Sequence, residues 1–238
     1  MTETPGFRPL YQQVRDMFVR RIADRSWPPG EALPSEQALA AELGVSQGTV
    51  RKALDSLATE NLVERRQGKG TFITEVTPAR SLFKFFRIAR PGGERLTPTS
   101  EEAATKRRRA TRPERKALKL AGNEYVVEIT RVRHVDGAPA IRETIAVPAK
   151  RFAGLDKRPI PNTIYALYQS DYGINVLSAN EELRAVAAGP DDAKALGVAA
   201  RTPLLEITRT AFDIDGRPIE WRRSRCDTRN LVYAVTLR

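Results

Sequence analysis

The residues best suited to chemistry in this chain are Arg131, Arg133 and Glu143. The run from Tyr125 to Val135 alternates, so as a strand it sends Tyr125, Val127, Ile129, Arg131 and Arg133 to one face. The two guanidiniums then leave that face about 7 Å apart and can converge on one anion. Charges on an otherwise apolar face need partners. Glu143, set between Ile141 and Ile145 on the next run, is one such partner. Spacing alone leaves two readings open: an internal ion pair between Glu143 and an arginine, or an anion site in which Glu143 accepts from the ligand's hydroxyl or amide donors. A helix start at Asn162-Thr163-Ile164-Tyr165 would offer free backbone amides to the same anion. Metal and disulfide chemistry are not provided for. The single Cys226 and single His134 supply neither a ligand cluster nor a bridge, and a structural role is expected for both.

The elements that must position these groups fit a chain of 238 residues, long enough for two domains with separate cores. The composition is basic, 40 Lys and Arg against 29 Asp and Glu, which invites a nucleic-acid partner. The excess is unevenly placed. Met1 to Glu75 carries ten of each sign, so the whole surplus lies after residue 75. Basic chemistry toward DNA must therefore be local in the first part, while an anionic ligand, added DNA steering and solubility all remain open for the second. No apolar run reaches membrane-spanning length and Met1-Thr2-Glu3-Thr4-Pro5 is not a signal peptide, so a cytoplasmic protein without a membrane partner is expected.

In the first part, Leu10, Val14, Met17, Phe18 and Ile22 mark one face of a helix that begins after Pro9 and ends at Trp27-Pro28-Pro29-Gly30. Ser35 caps a second helix that runs to Leu43, with Glu36 on the positive end of its dipole. Gly44 turns the chain and Ser46 caps a third helix. Val50, Ala53, Leu54 and Leu57 form its buried stripe, which leaves Gln47, Gly48, Arg51 and Lys52 at its exposed front. The runs Leu62 to Arg66 and Thr71 to Ile73 flank Gln67-Gly68-Lys69-Gly70, a hairpin whose glycines allow close approach to a DNA backbone. A phosphate-binding loop is excluded here, because the G-x-x-x-x-G-K-[ST] spacing is missing and no helix follows. The pattern is a helix-turn-helix with a wing, and its third helix would enter a major groove.

The stretch LPSEQALAAELGVSQGTVRKALDSLATENLVERRQGKGTF resembles the winged helix-turn-helix of the GntR family of bacterial transcription regulators. The resemblance implies DNA contacts from Ser35, Ser46, Gln47, Gly48, Thr49, Arg51, Lys52, Arg65, Gln67, Gly68, Lys69 and Gly70. Family members often carry Arg or Lys soon after the serine that opens the third helix, and here Gln47-Gly48 stand there.

The expected domains are a winged helix-turn-helix over 1–76, a linker over 77–83 and a second domain over 84–238. In the second, Leu82 to Phe86 opens a new apolar element, Pro91-Gly92-Gly93 closes a short strand, and Lys106 to Arg109 reads as a solvated surface. A helix from Glu114 stopped by Gly122, a strand pair around Asp136-Gly137, a helix over 163–172 and a strand over 176–188 follow. A short helix then starts at Pro190, a strand pair turns at Asp215-Gly216, and a closing strand runs over Leu231, Tyr233, Val235 and Leu237. Glu128-Ile129-Thr130-Arg131 with Asp136-Gly137-Ala138-Pro139 is echoed by Glu206-Ile207-Thr208-Arg209 with Asp215-Gly216-Arg217-Pro218. Two similar hairpins with interspersed helices make an antiparallel α+β domain. From about Leu82 onward the chain is similar to the UTRA ligand-sensing domain of HutC-type GntR regulators, whose fold is like that of chorismate lyase. That resemblance implies effector contacts from Arg131, Arg133 and Glu143, from Thr163 and Tyr165 where family members often have serines, and from Glu220.

The expectation is a homodimeric transcription regulator, a repressor, that reads a palindromic operator in double-stranded DNA and senses a small anion such as a sugar phosphate or carboxylate. No cofactor and no catalytic residue is implied. The rival is a lyase-like enzyme fused to a DNA-binding unit. The all-helical and aminotransferase-like sensors of other GntR branches do not fit the strand pattern or the length.

Overall fold

The computed structural model describes residues 8–60, 62–74, 85–100 and 103–236. The chain divides into two compact units, Met1–Val76 and Thr77–Arg238. The expected linker over 77–83 and Leu82 to Lys84 lie outside the described residues.

In the first unit α1 spans Leu10–Ala23, α2 Glu36–Leu43 and α3 Gln47–Thr59, followed by β1 Val63–Arg66 and β2 Gly70–Ile73. The helical stripes meet as their spacing predicts: Val14, Phe18 and Ile22 of α1 are buried with Leu39 of α2 and Val50, Ala53, Leu54 and Leu57 of α3. Removing a large apolar side chain of this kind from water stabilises the unit by roughly 1.5–3 kcal/mol each. Trp27 closes the cluster against Phe18, with ring centroids 5.0 Å apart. Ser35 and Ser46 cap as expected, each Oγ accepting from the backbone N–H three residues on at 3.1 Å. Gly44 ends α2 with φ 64, a left-handed value that glycine adopts without steric cost. The wing is paired Val63 to Ile73 through Arg66 to Gly70. The segment before α2 ties it down, with Leu33 N–H donating to Thr71 O at 2.7 Å and Ile73 N–H to Glu31 O at 2.9 Å.

The second unit is α+β. Its elements are β3 Ile88–Ala89, β4 Thr99–Ser100, β5 Ala104–Arg109, α4 Arg112–Leu118, β6 Tyr125–Val135, β7 Ala138–Pro148, a 3-10 turn Leu155–Lys157, α5 Ile164–Tyr172, β8 Val176–Ala187, α6 Pro190–Leu196, β9 Pro203–Asp213, β10 Pro218–Cys226 and β11 Val232–Tyr233. The main sheet is antiparallel in the order β4-β6-β7-β10-β9-β8, with β5 also on β6. The two hairpins foreseen from the sequence echo are β6-β7 and β9-β10, and they join along β7 and β10. Asp136 and Gly137 both have positive φ, 52 and 78, the two-residue turn that follows strand twist.

Alternation along the strands divides the sheet into two faces. On one, Val127, Ile129, Ile145 and Val147 pack with Ile164, Leu167 and Tyr168 of α5. On the other, Val126 and Ala146 pack with Leu118 of α4, while Leu196 of α6 packs with Leu204. Two local expectations shift. The closing strand is only Val232–Tyr233, paired with Ile88–Ala89 in a separate two-stranded sheet; Val235 is 59% exposed and Leu237 lies outside the described residues. Its alternation is partial, with no second strand to hold the rest. Helix α4 stops at Lys119 in a left-handed conformation, before Gly122, after seven residues or about two turns. The basic run Lys106 to Arg109 lies in β5, where Arg108 pairs with Glu114 at 2.6 Å and Lys106 with Glu128 at 3.0 Å.

Candidate functional site

In the first unit the polar residues expected to meet DNA lie on the front of α3 and on the wing. Gln47, Gly48, Arg51 and Lys52 are exposed, Thr49 is half-buried, and Arg65 with Gln67, Gly68, Lys69 and Gly70 forms the exposed part of the hairpin. Gly68 and Gly70 hold φ of 71 and 107, so the tip follows a path that side-chain-bearing residues rarely take. Arg51 Nε donates to Glu36 Oε2 at 2.9 Å. Arg65 Nη2 reaches Glu36 Oε1 at 3.1 Å and Asp55 Oδ1 at 2.8 Å, which draws the wing to both helices. Lys52 lies over the Tyr11 ring, 4.3 Å from its centroid. Ser35 and Ser46 direct their hydroxyl oxygens to helix caps. The arrangement offers donors and cations to an anionic polymer and contains no nucleophile activated by a base.

In the second unit the alternation of β6 and β7 brings Arg131, Arg133 and Glu143 into one cavity, with Thr163 and Tyr165 at the start of α5 on its wall. Its volume, about 50 Å3 open to the centres of water-sized spheres, exceeds the ~10–15 Å3 that one water needs by that measure. Arg131 Nε donates to Glu143 Oε2 at 2.6 Å and Arg131 Nη1 to Asn162 O at 3.0 Å. Arg133 is 3% exposed. Its Nη2 reaches Asn162 Oδ1 at 3.2 Å and Pro98 O at 3.3 Å, while its Nε has no hydrogen-bond partner among the described residues. The internal ion pair is therefore present, yet it leaves a buried guanidinium partly unsatisfied. Glu220 lies behind the wall: it accepts the Tyr165 and Tyr168 hydroxyls, each at 2.9 Å, and both Nε and Nη2 of Arg222.

Burial opposes ionisation of Glu143, but Arg131, Arg222 and Arg133 outweigh it and hold the carboxyl well below the usual carboxylate range. Burial also works against the charge of Arg133, only partly countered by Glu143, and brings its pKa down to about 10. The group stays cationic at neutral pH. Tyr165 is pushed up to about 12 by burial and by Glu220, so it remains a donor. Burial raises the Cys226 thiol on the same wall, which removes it as a nucleophile. Arg131, Arg133 and Arg222 are buried and Arg209 is nearly so, and together they meet Glu143, Glu181 and Glu220.

Arg209, Arg222, Ser224 and Asn162 belong to this constellation and did not stand out from spacing on β6 and β7. Ser224 Oγ and Arg222 Nη1 both donate to Glu143 Oε1, at 3.3 and 3.2 Å, from the second hairpin. The signal was in the echo itself: Arg209 follows Glu206-Ile207-Thr208 as Arg131 follows Glu128-Ile129-Thr130, and Arg222 falls seven residues after Asp215 as Glu143 falls seven after Asp136.

Comparison with known proteins agrees with this division of the chain. Residues 10–73 match bacterial regulatory proteins of the gntR family, and residues 93–230 match the UTRA domain. The histidine utilization repressor of Pseudomonas putida is 31% identical over 209 residues, covering 87% of this chain and 84% of that protein. The mannosyl-D-glycerate transport/metabolism system repressor MngR of Escherichia coli is 27% identical and covers 97% of this chain and 96% of its own. Among solved structures, the ligand-binding domain of a regulator assigned to the GntR family from Bordetella bronchiseptica superposes with a TM-score of 0.60 at 32% identity, covering 65% of this chain and 98% of that domain. With both matches falling on the units that carry the exposed basic surface and the arginine-lined cavity, the chain belongs to the GntR family of bacterial transcription regulators, in the HutC-type branch that carries a UTRA domain.

Proposed function

We propose that this protein is a dimeric repressor that reads a two-fold DNA site through α3 and the wing and releases it when a small anion binds beside Arg133. The observation that carries the reading is the buried Arg133 guanidinium, charged at neutral pH and without a partner for Nε among the described residues, on a cavity wall shared with Arg131, Arg209 and Arg222. A phosphate, phosphonate or carboxylate supplies an acceptor for that guanidinium. Thr163 and Tyr165 at the start of α5 line the same space, and Glu143 takes donors on the ligand. The similar repressors are named for systems handling histidine and mannosyl-D-glycerate, both of which carry a carboxylate. Dimerisation is assigned to the second unit, since one winged unit covers a half-site and a palindrome demands a matching two-fold axis. The ligand must favour the released state, because equal affinity for both states shifts nothing.

The test is calorimetric titration of wild type and Arg133→Ala with sugar phosphates, phosphonates and carboxylates, each paired with release of bound DNA. The expected result is that one class binds wild type and releases DNA, and that Arg133→Ala loses both responses. Full affinity and full release in Arg133→Ala would assign the arginine to the fold alone. Turnover of any bound compound would favour the enzyme reading.

A further inference from the structure

We infer that Glu36 is a positioning residue for base selection: its carboxylate fixes Arg51 and Arg65 so that the free end of Arg51 meets a guanine edge. The inference rests on the reading that α3 and the wing contact DNA. It begins from an anomaly of charge. DNA is a polyanion, and a carboxylate on the surface that meets it repels phosphate and weakens binding. Glu36 nonetheless stands within that surface, at the first turn of α2, with Gln47 and Arg51 of α3 and Arg65 of the wing around it. Stability explains only part of its presence: Glu36 lies on the positive end of the α2 dipole, and its pairs with exposed arginines add little.

Geometry does explain it. The Glu36 side chain is 17% exposed and that of Arg51 57%, so the carboxylate lies behind the guanidinium that it holds. Glu36 Oε2 takes Arg51 Nε at 2.9 Å, and no hydrogen bond or ion pair engages Arg51 Nη1 or Nη2 among the described residues. A guanidinium held by Nε presents Nη1 and Nη2 as a pair of parallel donors, the spacing that O6 and N7 of guanine accept in the major groove. The other oxygen, Oε1, takes Arg65 Nη2 at 3.1 Å, and the same nitrogen reaches Asp55 at 2.8 Å. One carboxylate of α2 thus sets α3 and the wing relative to each other. Without it, Arg51 sits on a free stem and must lose its rotamer freedom on binding, which weakens the correct contact and leaves attraction to any phosphate intact.

The experiment uses the full chain, with a duplex that the wild type enriches from a randomised library and a shuffled duplex of the same composition. Binding is measured across salt for wild type, Glu36→Ala, Glu36→Gln, Arg51→Ala and the Glu36→Ala/Arg51→Ala pair. Glu36→Ala should bind the enriched duplex roughly ten-fold more weakly while binding the shuffled duplex as well as or better than wild type. Glu36→Gln retains one acceptor and should fall between. In the Arg51→Ala background, Glu36→Ala should change selectivity by no more than about two-fold, because the group it positions is gone. Equal tightening on both duplexes would overturn the inference and leave Glu36 as a repulsive charge. Parallel loss on both, accompanied by a lowered melting temperature, would make it a fold residue; should Glu36→Ala not fold, Glu36→Gln carries the comparison through the same ratio. A wild type that enriches no sequence would instead remove the DNA reading itself, and the inference with it.

Discussion

Both units of this protein build arginine-carboxylate assemblies, and the two differ in where water is. Around Glu36 the arginines are exposed, the pairs are screened and the free donors point outward. Around Glu143 the arginines are buried, and nearly every donor must find an acceptor within the fold. The lesson is that one chemistry serves two ends. On the surface an ion pair sets direction at little cost to stability, whereas in the interior it is a condition of folding.

The comparison breaks most visibly at Glu143. Glu143→Ala leaves Arg131 and Arg222 buried without their shared acceptor and should destabilise the second unit by about 3–5 kcal/mol. Urea unfolding should be followed in a Trp27→Phe background, so that Trp221, the other of the two tryptophans, reports the second unit alone. A pH series sharpens the same point. The folded carboxyl is depressed below its unfolded value, so its stabilising contribution is complete above the unfolded pKa of about 4.3 and fades as pH falls from there through the folded value. Glu143→Gln should flatten that acid-side slope.

On the exposed side the effects are smaller and concern DNA. Arg51→Ala should weaken binding to an enriched duplex by about 1–3 kcal/mol and relax base preference at one position, read by competition with single-base variants. Equal loss on enriched and shuffled DNA would show that Arg51 only neutralises phosphate. Lys69→Ala, at a glycine-framed tip, should weaken every sequence alike and reduce the salt slope by about one, with unfolding unchanged.

The surface assembly was legible in the sequence because its signals are local. Ser35 and Ser46 cap within three residues, Gly44 turns the chain, and the stripe from Val50 to Leu57 fixes which side of α3 faces out. Its binding contacts follow from that orientation, but the hold of Glu36 on Arg51 and Arg65 spans 15 and 29 residues and escaped a reading by periodicity. The buried assembly was legible by half. Arg131, Arg133 and Glu143 stood out as charges on apolar strand faces, while Arg222 and Ser224 come from a strand 79 to 81 residues further along the chain. Alternation says which face a residue takes and nothing about which strand lies beside it. The repeated hairpin carried part of that missing information, since it marks Arg209 and Arg222 as the counterparts of Arg131 and Glu143 in a second strand pair.

That junction of β7 and β10 also bears on how the second unit should fold. The first hairpin closes across the two-residue turn Asp136-Gly137 and the second across the short loop between Asp213 and Pro218, so their contacts are short-range and form early. The seam, by contrast, must close a loop on the way to joining Glu143 with Arg222, 79 residues apart, and must strip water from both charges as it does so. Mutations at the seam will therefore fall mainly on the unfolding rate, and those in the hairpin turns on the refolding rate. A cavity whose wall is completed last is also one whose ligand can act as a clamp on an already formed pair of hairpins, slowing their separation.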